Sequence, residues 1–130
     1  MTHLYTVATN GVVLGNSSSG TATALAWAGD TILAVGDDTT VRAVSRGDST
    51  FVDLAGRAVS AGRDVAEATQ RMREVVRRGA TDLRVGELEP GSPADLLIWS
   101  HDPRQLAPGA ADQLHVEGTV TGGHLSWQPG

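Results

Sequence analysis

Cysteine and lysine are both absent from this 130-residue sequence. Without cysteine there is no disulfide, no thiolate nucleophile and no cysteine-ligated zinc. Without lysine there is no Schiff-base chemistry, no Walker-type phosphate lysine and no lysine-derived metal ligand; all ten cations are arginines. No apolar run approaches the roughly 20 residues of a membrane helix, so no membrane partner is expected. The opening Met1-Thr2-His3-Leu4-Tyr5-Thr6 lacks a cationic stretch ahead of an apolar one. No secretory leader is therefore expected, and the cytoplasm is the expected compartment. A net charge of −5 argues against a nucleic-acid partner. Aromatics are scarce at 4%, whereas glycines number 16, a balance that favours short strands joined by tight turns.

What is present reads as one composite domain over 1–130, mainly β, a small sandwich or distorted barrel of short, mostly antiparallel strands. N-terminal strands occupy 1–62, a bridging amphipathic helix lies in 63–83, and C-terminal strands occupy 84–130. Residues 4–8 alternate as a first strand, Asn10-Gly11 reads as a hairpin turn, and 12–14 return as a second strand. Residues 16–20 form a loop. Residues 21–28 form a third strand, with Ala22, Ala24, Ala26 and Ala28 on one face and Leu25 and Trp27 on the other. Gly29-Asp30 fits a two-residue hairpin before the strand 32–35. Asp37 or Asp38 caps a short helix over 41–44 closed by Gly47, and strands follow at 50–54 and 56–59.

The clearest helix is 64–78. Asp64 at the N-cap with Glu67 three residues on resembles a capping box. Val65, Ala68, Met72, Val75 and Val76 share one stripe, Glu67–Arg71 and Glu74–Arg78 are i,i+4 pairs, and Gly79 is the C′ residue. Further on, 87–93 is an extended turn and 94–99 the most apolar strand, expected at the centre of a sheet. Residues 102–112 are irregular. Residues 113–121 and 124–127 are strands around a Gly122-Gly123 turn.

Two blocks carry a family likeness. Ala24-Leu25-Ala26-Trp27-Ala28-Gly29-Asp30-Thr31-Ile32-Leu33-Ala34-Val35-Gly36-Asp37, continuing to Val52-Asp53-Leu54-Ala55-Gly56-Arg57-Ala58-Val59, resembles the opening of amidohydrolase-superfamily enzymes. Gly86-Glu87-Leu88-Glu89-Pro90-Gly91-Ser92-Pro93-Ala94-Asp95-Leu96-Leu97-Ile98-Trp99 resembles their closing segment, and 116–125 their final hairpin. The imidazolonepropionase-like members are nearest in flavour. The resemblance covers most of 4–62 and 84–127. It implies a composite sandwich whose two halves fold together although a (β/α)₈ barrel is inserted between them. Here residues 63–83 replace the roughly 250 residues such a barrel needs. Arg63-Asp64-Val65-Ala66 stand where the family's His-x-His metal motif should follow Gly62.

The histidines are His3, His101, His115 and His124, and no two have i,i+2 or i,i+4 spacing. His115 and His124 are expected on outward strand faces and His101 in a turn with Asp102-Pro103. Ser17-Ser18-Ser19 is a loop, not a nucleophile elbow. Asp37-Asp38 reads as a cap before it reads as a cation site. Asp95 within its apolar strand is structural by the resemblance, and Trp27, Trp99 and Trp127 are core or rim fillers. No catalytic, cofactor-binding or metal residue is assigned, and no cofactor is expected. The leading reading is a stand-alone, non-catalytic composite domain acting in binding or assembly. The alternative is a metal-dependent hydrolase of non-peptide carbon–nitrogen bonds, working as a fragment or with a barrel supplied by a partner. A homodimer is expected, because losing the barrel uncovers one flank of the sandwich unless the 63–83 segment folds back as a lid.

Overall fold

The structure is a computed structural model that describes residues 5–15, 22–44, 49–79, 86 and 88–127. In chain order the elements are β1 (Tyr5–Thr9), β2 (Val12–Val13), β3 (Ala24–Ala28), β4 (Thr31–Gly36), α1 (Asp38–Arg42), β5 (Thr50–Asp53), β6 (Ala58–Ala61), α2 (Val65–Arg77), β7 (Leu96–Trp99), β8 (Val116–Thr121) and β9 (His124–Trp127). Two 3₁₀ turns, Pro103–Gln105 and Pro108–Gln113, fill the irregular stretch before β8. No helix among the described residues is long and apolar enough to cross a membrane.

The strands form two facing sheets, β4-β3-β1-β5 and β2-β6-β7-β8-β9, so the fold is mainly β and sandwich-like with no closed barrel. Pairings are antiparallel except β1–β5 and β2–β6, which are parallel. β7, the most apolar strand, is the central strand of the larger sheet, as its composition predicts.

Asn10-Gly11 does not make a hairpin. β1 and β2 lie in different sheets, and the dipeptide is the corner at which one bent strand passes from the first sheet to the second. A second bent strand, β5 into β6, turns the same corner beside it. Asn10 and Ala55 take φ values of 60° and 51°, and Gly56 takes 84°. Hydrogen bonding continues round the bend. Leu54 N donates to Thr9 O (2.9 Å), Gly56 N to Asn10 O (2.8 Å), Val12 N to Arg57 O (3.0 Å) and Gly11 N to Thr23 O (2.9 Å). Gly11 is required by proximity: a Cβ there would lie 2.8 Å from both the Arg57 carbonyl oxygen and Leu54 Cβ. The turn dipeptide was legible, but the same left-handed φ serves a hairpin and a corner alike.

Regular pairing in the third strand begins at Ala24, and Ala22 contributes an isolated bridge to Val13. Ala22 packs with Leu25 and Trp27 in the core between the sheets, while Ala24 and Ala26 face Val7 and Val41 under α1. The expected all-alanine face therefore breaks at Ala22, where the chain approaches the corner. α1 begins three residues before the expected 41–44, because Asp37 caps it. Gly47 and residues 16–20 lie outside the described residues, as does His3. Gly56 and Arg57 belong to the corner, and β6 begins at Ala58.

α2 matches its expected span. Asp64 accepts from Glu67 N (3.0 Å), but the Glu67 carboxylate pairs with Arg71, so only half of the capping box forms. Met72 and Val76 are buried and Ala68 packs with them against Ala58, Leu97, Trp99 and Leu114. Val65, expected on this stripe, is 40% exposed because it sits at the helix start, beyond the sheet. α2 thus packs over the larger sheet, while α1 covers the smaller one.

Both expected local hairpins form. Gly29 takes φ 58° and Asp30 a negative φ, the type II′ pattern, while Gly122 and Gly123 take 55° and 85°, as type I′ requires. The two tips touch. Trp27 Nε1 donates to Gly123 O (3.0 Å), Gly123 N to Ala94 O (3.0 Å) and Ala94 N to Asp30 O (2.8 Å). The end of the sandwich opposite the corner is therefore locked turn against turn.

Candidate functional site

The carboxylates the sequence singles out are engaged in turns and caps. Asp37 accepts from Thr40 N at 2.7 Å, and that backbone hydrogen bond, with the Thr40 side chain, holds its carboxyl below the usual range. Asp38 accepts from Thr23 Oγ1 (2.8 Å) and Asn10 N (3.2 Å), tying α1 to the corner. Asp53, not picked out from sequence, accepts from Asn10 Nδ2 (3.0 Å) and Ala55 N (2.8 Å). Its carboxyl is lowered, chiefly by the Asn10 side chain and then by the Ala55 amide. Asp95 is partly buried. It accepts from Gly122 N (2.8 Å) and faces Arg63 Nε at 3.6 Å, so it orients the β8–β9 turn. Asp102 is buried and holds the Arg104 guanidinium through both oxygens (3.1 Å each), besides capping the first 3₁₀ turn.

His101, His115 and His124 are exposed. His101 Nδ1 lies 2.8 Å from Ser100 Oγ, and His115 Nδ1 lies 3.0 Å from Gln113 O. Among the described residues no three of His, Asp and Glu are grouped to hold a metal ion. Trp27 and Trp99 are buried core fillers, and Trp99 Nε1 donates to Ser60 Oγ (2.8 Å). Trp127 is a rim filler. It lies so close over Gly118 that a Cβ there would be 2.6 Å from its own Cβ.

Arg57 joins the corner to that rim. Its Nε donates to Glu117 Oε2 (2.7 Å), and its guanidinium carbon lies 5.2 Å from the Trp127 ring centroid. Glu117 sits where the β7–β8 register slips, between the pairs Ile98–Gly118 and Trp99–Val116, and this bulge aims its carboxylate at Arg57. His115 Nε2 stands 3.7 Å from the other Glu117 oxygen. These groups contact one another and close the corner end of the sandwich.

A surface groove lies beside the corner. Between α1 and β5 runs a groove of about 550 Å³, floored by Thr9 and Asn10 and flanked by Arg42 and Phe51. Phe51, the single phenylalanine, is 58% exposed. Arg42 is exposed and makes no ion pair among the described residues. The space between the sheets offers little by comparison: its apolar cavity is about 10 Å³, near the size of one water probe, against the several hundred Å³ of a metabolite site.

No family model matches the chain, and no curated protein matches it. Among solved structures it is similar to an uncharacterized metal-dependent hydrolase from Pyrococcus furiosus. The two are 20% identical over 57% of this chain, with a TM-score of 0.37, and this chain spans a fifth of that protein's length.

Proposed function

We propose that this chain is a non-catalytic composite sandwich that works by binding or assembly. The observation that supports this reading most directly is how its carboxylates are engaged. Asp37, Asp38, Asp53, Asp95 and Asp102 each accept hydrogen bonds that hold a cap, the corner or a turn. A general base or a metal ligand needs a lone pair directed at a reacting group or an ion. Function resides in sites and not in folds, so a sandwich can keep its architecture after its chemistry has gone.

The test is direct. The purified chain is assayed on a hydantoin and on imidazolonepropionate, with and without added Zn²⁺, and its metal content is measured. The expected result is a rate equal to the buffer blank and no stoichiometric metal. Turnover above the blank that a chelator abolishes would overturn this reading in favour of a hydrolase of non-peptide carbon–nitrogen bonds.

A further inference from the structure

We infer that the free edge of β5 is where two copies of this chain join, strand against strand, about a two-fold axis. This rests on the binding-or-assembly reading and names the partner.

β5 ends the smaller sheet, and among the described residues no strand pairs with its outer edge. The opposite end is guarded. Ile32 N donates to Ser92 O and Gly91 N to Ile32 O (2.9 Å each), and Thr31 bridges to Pro93. Natural edge strands are protected by being short, by charged side chains, lysine above all, by proline, by a bulge or by a covering segment; β5 has only its shortness and the one charge of Asp53. β5 reads Thr50-Phe51-Val52-Asp53, with neither proline nor bulge, in a chain with no lysine. A protein with five aromatic residues has placed one of them, Phe51, in water on this edge.

The surface is self-complementary. Phe51 pairs with Val7 on the outer, α1-side face, while Val52 packs toward the core between the sheets. A two-fold axis perpendicular to the sheet keeps outer residues opposite outer residues. Centred on Phe51, it sets the two rings side by side. Centred on Asp53, it would oppose two carboxylates and leave the rings apart. Arg42 lines the groove on the same face as Phe51 and Asp53. Each copy therefore brings to the shared face one guanidinium with no ion pair among the described residues and the Asp53 carboxylate, whose Asn10 and Ala55 hydrogen bonds both go to Oδ1, the exchange an isologous contact uses. A foreign strand would have to supply both.

A four-residue edge makes a small contact, so affinity belongs in the range of about 10 μM to 1 mM. Sedimentation equilibrium on the full chain up to about 1 mM should show the mass rising from one chain toward two. Amide exchange at 50–53 should slow as concentration rises. Phe51→Asp and, separately, Phe51→Ser should each weaken association by at least about tenfold while leaving the dilute melting temperature unchanged. Exchange on the unaltered chain decides the matter should a variant fail to fold. One chain's mass at every concentration would overturn the inference, as would a dimer indifferent to both variants or protection at His124–Trp127 in place of 50–53. A monomer without turnover sinks the pairing and leaves the non-catalytic reading standing; a dimer with chelator-sensitive turnover does the reverse.

Discussion

A methyl group on Gly123 would run into the Gly29 carbonyl oxygen, and Gly123 also holds φ at 85°. Gly123→Ala therefore adds overpacking to left-handed strain, and it should cost about 2–4 kcal/mol in denaturant unfolding. Ser60→Ala acts differently. It leaves Trp99 Nε1 buried without its acceptor, and a loss of about 1–3 kcal/mol is expected, with the sandwich otherwise unchanged. The carboxyls of Asp37 and Asp53 bind protons less tightly in the folded chain than in the unfolded one. Their ionised forms favour folding, so this contribution is complete above the ordinary aspartate pKa of about 3.9 and vanishes as pH falls through the lowered folded values. Asp53→Asn should flatten the fall in stability below about pH 4, as followed by urea unfolding at several pH values.

At the scale of elements, α2 separates what periodicity can and cannot say. Met72→Asp puts an unpaired charge under the helix, against Trp99 and Leu114, and should cost about 3–5 kcal/mol. Val65→Asp on the same helical stripe should stay within about 0.5 kcal/mol, because Val65 is exposed and an acid suits a helix start. Paired melting curves of the two variants check both. The stripe was legible because each of its residues repeats at helical spacing; the exposure of Val65 was not, because it depends on where the sheet beneath ends. Gly29-Asp30 and Gly122-Gly123 were legible as hairpins since turn and strands are contiguous in sequence. Asn10-Gly11 looks like a hairpin in sequence because the partners that make it a corner, Thr23 and the 54–57 segment, lie far along the chain.

For the whole molecule, the bent strands make the two sheets one hydrogen-bonded surface. Counting each bent strand once, the order runs β4, β3, β1 into β2, β5 into β6, β7, β8 and β9. The mainly β class and the central place of β7 followed from composition and alternation. The groove beside β5 did not. An exposed phenylalanine in an alternating run looks the same as a buried one until the neighbouring strands are known. The structural reading of Asp95 came only from the resemblance of 86–99, and its partner, the amide of Gly122, is visible only once β7 and β8 lie side by side.

The contact between the two hairpin tips also sets an order of events in time. β3–β4 and β8–β9 close across two residues each, so they can form within microseconds, whereas bringing Gly29 to Gly123 closes a loop of more than 90 residues. The tips should therefore meet late, after the rate-limiting barrier. For Gly123→Ala the clash with Gly29 should then appear as faster unfolding, while the left-handed strain, set when the β8–β9 hairpin closes, slows refolding, giving a fractional φ-value in a chevron experiment. A contact that forms last sets how long the molecule stays folded, and hardly how quickly it gets there.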